Sequence, residues 1–319
     1  MAEAALRVVL AGLLTTVQDL GRPQSQRYGM PQGGAMDPVA LQAANILVGN
    51  RRDAACLEVT MMGPALEAIT DVRVAVCGAD LGLIVDGVPR PPNSSFALKA
   101  GRQARFGRRV SGARAYVAIA GGVAVPSVLG SASTYLPARI GGLEGRALQA
   151  GDIIERADLP RFVPRAALRA ALLAAPTDEA DIRVIAGPHA PRFSPDAVED
   201  FFRGIFTVTP NADRMGCRLE GPPIAVPEEL LGGITSEGIP NGAIQISPDG
   251  KATILLADRP TIGGYAKLAT AITADIPVVA QCAPGTRLRF VRVTLDEAQS
   301  LARESERRLR IMDWGVKSS

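Results

Sequence analysis

The amino-acid sequence predicts a mainly β protein with a few short helices, arranged as two related halves, and three observations carry that expectation. Glycine (33 residues) and proline (24 residues) are spread along the whole 319-residue chain, above ordinary usage, as many tight turns between short strands require. One turn phrase recurs as Leu98-Lys99-Ala100-Gly101, Leu148-Gln149-Ala150-Gly151 and Cys282-Ala283-Pro284-Gly285, each time delivering the chain into alternating apolar and polar residues. A helix grammar of polar cap, proline at the start and glycine at the end also occurs twice, from Asp37-Pro38 to Gly49 and from Ser194-Pro195 to Gly204. Likewise Cys56-Leu57-Glu58 ahead of Gly63-Pro64 is echoed by Cys217-Arg218-Leu219-Glu220 ahead of Gly221-Pro222.

In chain order, residues 6–17 are rich in Val, Leu and Thr and read as one strand running into the polar turn Gln18-Asp19-Leu20-Gly21. Asp37 as N-cap and Pro38 as first helical residue open a helix over 38–48, with Leu41, Ala44, Leu47 and Val48 as its apolar side chains. Strands follow at 72–76, around a hairpin at Asp86-Gly87, at 95–98, at 104–106 and in the apolar run 115–120. The Ala/Arg-rich stretch 165–175, with room for a short helix, and the polar 176–181 behind it suggest a linker over 161–181. It separates an N-terminal β-rich half, 1–160, from a C-terminal half, 182–319, that starts with a strand over 182–186. Thr294 and Glu297 have capping-box spacing ahead of an amphipathic C-terminal helix carrying Leu301 and Leu309, and the tail past Trp314 is expected to be loose.

Composition removes several function classes. A single histidine, His189, rules out a multi-histidine metal site and leaves one place for a Ser-His-Asp triad. Set in Gly187-Pro188-His189-Ala190-Pro191 with no acid or nucleophile at motif spacing, it reads as a turn or binding-loop residue. Cys56, Cys77, Cys217 and Cys282 lack Cys-x-x-Cys spacing and are expected to be free, buried thiols of a reducing compartment. A net charge of +3 with scattered arginines lacks the footprint of a nucleic-acid binder. Residues 6–14 are too short for a membrane span and wrongly flanked for a signal peptide. The expected location is the cytoplasm, with neither nucleic acid nor membrane as partner.

Three polar constellations remain. Asp213-Arg214-Met215-Gly216 is either a salt-bridged surface turn or part of a site. Between 234 and 245, Glu237 and Gln245 sit among glycines, which suits a loop whose backbone approaches a ligand; Glu237 is a candidate general base and Gln245 a reader of a carbonyl or amide. Between 254 and 267 an apolar strand ends at Asp258-Arg259, and the Gly263-Gly264 turn presents Tyr265 and Lys267. Only four of the 35 basic residues are lysines, so Lys267 is not generic surface; Arg259 can fork onto a carboxylate, while Lys267 is a point charge. The bland alternative for this stretch is a hairpin loop with an Asp258–Arg259 ion pair. Neither a phosphate loop nor a Met-Lys biotin attachment sequence occurs, so no group is expected to be bound covalently, and ATP or biotin would come on a partner.

Several of these phrases occur together in one known family: the segment from Gly12 to Pro23, Gly34-Ala35-Met36-Asp37, the run from Ala115 to Gly122, Asp213-Arg214-Met215-Gly216, Leu219-Glu220-Gly221-Pro222, Ser236-Glu237-Gly238, Gly242-Ala243-Ile244-Gln245, and Leu256-Ala257-Asp258-Arg259 with Gly263-Gly264-Tyr265. Over about residues 6–293 the chain resembles the biotin-dependent carboxyltransferase family. That family includes allophanate hydrolase subunit 2-like proteins, the second half of the carboxyltransferase domain of urea carboxylase, and the C-type subunit of bacterial 5-oxoprolinase. The resemblance implies a cyclophilin-like β-barrel architecture and a subunit 1-like (B-type) partner, with a site where the two parts meet. The chain departs from the family at Gln24-Ser25, where glycine and an aromatic are expected, at Ala132, where a basic residue is usual, and at His189, where glutamine is common.

The first function this resemblance implies is a non-autonomous subunit of an ATP-dependent 5-oxoprolinase, opening the 5-oxoproline lactam to glutamate alongside a third, lactam-utilisation-like subunit. Opening an unstrained lactam needs an activated carbonyl, for which phosphorylation is a chemical route, together with donors for the oxyanion and a positioned base. Arg259 and Lys267 are the expected charge stabilisers, Glu237 the base, and Gln245 and Tyr265 the orienters. Asp213, Arg214, Asp258, Gln18 and Asp19 are further substrate-binding candidates. The second function is carboxyl transfer from carboxybiotin on a partner to urea or a related amide. The third is a non-catalytic regulatory subunit, whose mark would be loss of the polar set from Glu237 to Lys267, which is intact here.

Overall fold

In the computed structural model, which describes residues 2–164, 170 and 178–318, the first apolar run is not one strand but two. Gly12 has φ of 76°, and a Cβ there would sit 2.5 Å from the Met62 carbonyl oxygen, so the chain turns at the one residue type that fits. The two parts, Glu3–Leu10 and Leu14–Gln18, enter different sheets. The linker stretch 165–175, apart from Ala170, lies outside the described residues.

Contacts divide the chain into two units, the first made of Met1–Arg22, Gly33–Ala175 and Arg307–Ser319. It holds a six-stranded sheet, ordered Ile153–Arg156, Glu3–Leu10, Ala65–Ala68, Gln103–Phe106, Leu83–Val85, Val88–Pro89, and a five-stranded sheet, ordered Leu14–Gln18, Cys56–Thr60, Ser111–Ile119, Val72–Asp80, Ser94–Leu98. The run 115–120 is continuously apolar because both its faces are buried. Ala115, Val117 and Ile119 point into the core shared by the two sheets. Tyr116, Ala118 and Ala120 pack with helix Pro38–Leu47. That helix begins as the sequence predicts, with Asp37 accepting from the Val39 and Ala40 amides and Pro38 at the first position.

The second unit, Pro23–Gln32 with Pro176–Glu306, contains a closed seven-stranded barrel: Glu179–Ala186, Ala266–Ala271, Ala243–Ile246, Ala252–Leu255, Gly216–Glu220, Phe206–Val208, Arg287–Arg292. Closure comes from a parallel pairing of Arg287–Arg292 back onto Glu179–Ala186, which removes the free edges an open sheet would leave. Helix Pro195–Arg203, capped by Ser194, lays Phe201 on Phe290 with ring centroids 4.5 Å apart. The three repeated turn glycines, Gly101, Gly151 and Gly285, all have positive φ (75°, 94° and 93°) and deliver the chain into strands. All four cysteines are free and buried.

The C-terminal tail differs from the expectation. Helix Leu295–Lys317 opens with the Thr294/Glu297 capping box and continues past Trp314, because Asp313 and Lys317 pair at 2.7 Å and Val316, with Leu309, is buried in the first unit's helix cluster. No helix among the described residues is long and apolar enough to cross a membrane.

Candidate active site

Strand Ala266–Ala271 is the base of the site. Lys267 pairs in register with Gln245 on the neighbouring strand, so their side chains share a face, next to an irregularity in the pairing between Ile244 and Gln245. On the strand's other side runs the segment that leaves Glu179–Ala186. A Cβ at Gly187 would lie 2.3 Å from the Lys267 carbonyl oxygen, so glycine lets the two backbones touch. His189 follows, donating its amide to the Lys267 carbonyl at 3.2 Å and accepting the Lys267 amide on Nδ1 at 3.1 Å.

Glu237 reaches the same place from a two-stranded ribbon, Glu237–Gly238 paired with Ile262–Gly263. Its Oε1 lies 2.7 Å from Lys267 Nζ and 3.5 Å from His189 Nε2. The Lys267 side chain is 2% exposed and that of Glu237 is 44% exposed, so a buried cation faces a carboxylate that solvent or a ligand can reach. Beyond this contact with Glu237, Lys267 Nζ has no hydrogen-bond partner among the described residues. Contact with Lys267 is the main reason the Glu237 carboxyl sits below its usual range. Burial lowers the His189 pKa below 6.5, Lys267 and Arg192 add to that, and Glu237 opposes it.

The remaining candidates divide by role. Gln245, buried, donates toward the Tyr265 carbonyl at 3.5 Å, and the Tyr265 ring is exposed. Arg259 is buried but makes no Asp258 ion pair; its Nε donates to the Ile239 carbonyl at 2.8 Å and a terminal nitrogen to Leu256 at 3.2 Å, which fixes the foot of the Glu237 ribbon. Burial pulls its pKa down to about 10. Asp258 instead takes a two-pronged contact from Arg214, at 2.8 and 3.0 Å, both residues being buried. Asp213 accepts from the Met215 and Gly216 amides and closes a turn. Gln18 and Asp19 belong to the first unit. There Gln18 donates to Thr16 and Thr134, and Asp19 takes donors from Gly21, Ser131, Ala132 and Ser133, an arrangement that fixes the 131–133 loop.

Glu237, Lys267 and Gln245 therefore converge, with the Tyr265 backbone beside them. The residue that sequence reasoning left out is His189, whose bonding partner is a backbone amide 78 positions away. Its one visible signal is a strand-ending glycine just ahead of the only histidine. Among the described residues no cluster of histidine, cysteine and acids could hold a metal ion.

The mainly β architecture with its closed barrel agrees with what known proteins add. Residues 28–292 match the family described as carboxyltransferase domain, subdomain A and B, and the chain belongs to that family. It is similar to the C-type subunit of the 5-oxoprolinase of Haemophilus influenzae, 36% identical over 292 residues that are 91% of this chain and 92% of that protein. It is likewise similar to the C-type subunit of the 5-oxoprolinase of Escherichia coli K12, 34% identical over 97% of this chain and 98% of that one. The structure of Kluyveromyces lactis urea carboxylase superposes with a TM-score of 0.92 and 29% identity over 99% of this chain, which is 30% of that protein. These relatives are enzymes or enzyme subunits.

Proposed function

We propose that this chain is a non-autonomous subunit of an ATP-dependent 5-oxoprolinase, which hydrolyses the cyclic amide C–N bond of 5-oxoproline to give glutamate. Its partners in this reading are a subunit 1-like (B-type) protein and a third, lactam-utilisation-like subunit, in the cytoplasm, where four free thiols stay reduced. The observation that carries the reading is the buried Lys267 ammonium, whose one partner among the described residues is a carboxylate 2.7 Å away that is open to solvent. A lactam carbonyl oxygen brought against Nζ accepts from a donor not aimed at Glu237, and the interaction strengthens as the oxygen becomes an oxyanion. Glu237, ionised at neutral pH and held further below its usual range by Lys267, accepts a proton from the attacking water. The water oxygen bonds to the carbonyl carbon, the ring C–N bond breaks, and the leaving nitrogen takes up the proton. Gln245 orients the amide edge, the Tyr265 ring covers it, and Arg259 acts through the ribbon. In this reading ATP enters through the complex. End-to-end similarity to two 5-oxoprolinase C-type subunits supports lactam opening.

The 0.92 TM-score with urea carboxylase supports a second reading, transfer of a carboxyl group from carboxybiotin on a partner to urea or a related amide, with Lys267 holding the carboxylate. Reconstituting the chain with both partner subunits separates the two. ATP-dependent glutamate release from 5-oxoproline is expected; carboxylation of urea without glutamate release would replace the first reading by the second.

A further inference from the structure

We propose that His189 is the positioning residue of this site, holding the Glu237 carboxylate through a single fixed neutral tautomer. The inference rests on Glu237 being the base of the reading above. The Lys267 backbone N–H donates to Nδ1 at 3.1 Å, so Nδ1 must carry a lone pair and the ring hydrogen sits on Nε2. Nε2 is the atom that faces Glu237 Oε1, at 3.5 Å, and a small rotation of the half-exposed glutamate closes this to hydrogen-bonding length. One carboxylate oxygen thus lies between two donors set by the same residue: the Lys267 ammonium directly, and the imidazole that the Lys267 backbone orients. Oε2 is left for water or substrate.

The placement of the ring is built rather than incidental. His189 is bonded to Lys267 twice, by its amide and by its ring, and Gly187 permits the close approach that makes both bonds. The imidazole is 11% exposed. Protonation would put a hydrogen on Nδ1 opposite the Lys267 N–H, two donors 3.1 Å apart, and the ring would have to turn away from Glu237. The charged groups facing the ring are Glu237, which favours the added proton, and Lys267 and Arg192, which oppose it; Arg192 is itself paired with Glu229 at 3.0 Å. Base positioning is therefore present above the histidine's titration and lost below it.

Because the chain has one histidine, nitrogen-15 histidine labelling of the full chain gives a single ring to follow by NMR. The expected result is the Nε2–H tautomer at neutral pH with a midpoint below 6.5, falling further in Glu237→Gln, where the one group that favours the proton is gone. An Nδ1–H tautomer, or a midpoint unmoved by Glu237→Gln, overturns the proposal. In the reconstituted complex, His189→Ala should lower kcat roughly 10- to 100-fold, the cost of a misplaced catalytic group. His189→Gln keeps a donor at the Nε2 position and should recover most of that loss while moving the acid limb of the kcat profile down to the titration of Glu237 alone. His189→Asn offers an acceptor to the Lys267 amide alone and should not recover it. Equal recovery by Asn and Gln would mean that the ring only braces the strand, which also overturns the proposal. A ring that titrates as expected in a complex that opens no lactam would uphold the coupling and sink the lactam reading alone.

Discussion

In the proposed reaction Lys267 is the residue on which the chemistry turns, and its neighbours define what removing it should do. Its charge is matched by Glu237 at 2.7 Å, and Glu237 is open enough to be solvated without it. Lys267→Met keeps the buried volume and strands no buried anion, so the fold should survive. In the reconstituted complex kcat should fall roughly 10²- to 10³-fold, the usual cost of one oxyanion donor. The Glu237 carboxyl, held down chiefly by Lys267, should return toward 4.5, so the acid side of the kcat/KM profile should move to higher pH. Turnover like that of the wild type would remove Lys267 from the reaction. At this scale the sequence is legible where a residue type is scarce and its setting unusual, as for a lysine behind a Gly-Gly turn. Glu237 is legible in the same way, as an acid among glycines. His189 is not, because its meaning comes from a backbone amide on another strand.

Elements are legible where their ends are written locally. The caps at Asp37 and Ser194, the Thr294/Glu297 box and the turn glycines all act within four residues, and each appears in the structure as the sequence predicts. What local spacing cannot show is a backbone approaching from elsewhere. The break at Gly12 is set by the Met62 carbonyl, and barrel closure by a parallel pairing of strands about a hundred residues apart. Arg259 belongs to the same class: its fork reads as a ligand for substrate until the carbonyls of Ile239 and Leu256 are seen to occupy it. Arg259→Met should leave both carbonyls short of a buried donor, at about 1–3 kcal/mol each. The ribbon should loosen, with faster hydrogen exchange at the amides of Ile239 and Ile234, which bond to Thr261 and Gly264, and a lower Tm. Lost turnover with unchanged exchange would instead put Arg259 on the substrate.

Across the whole molecule, the response to acid follows from groups spread over both units. Asp53, Asp71, Asp152, Glu237, Asp249 and Glu297 all have carboxyls below the usual range, held there by Arg51, Lys99, Arg146, Lys267, Ser247 and the Thr294 backbone respectively. A depressed acid contributes stability that is fully present above its unfolded value, 3.8 for Asp and 4.5 for Glu, and is lost as pH falls through the folded one. Most of these groups are well exposed, so each contributes little, and salt should weaken them further as the Debye length shrinks to about 3 Å at 1 M. His189 works the other way in charge but in the same direction in pH. The unfolded chain takes up its proton near 6.5 while the folded chain resists until lower pH, so stability starts to decline as pH drops below that value. The expected Tm curve is therefore flat from about pH 7 up to the range where unfolded thiols ionise, with a shallow first descent on the acid side from one histidine and a second through the carboxylates. Differential scanning calorimetry across pH checks both. His189→Gln should abolish the first descent and leave the second, while 1 M salt should flatten the second and leave the first. A first descent that survives His189→Gln would have to come from some other group, and burial would then not be holding the imidazole neutral.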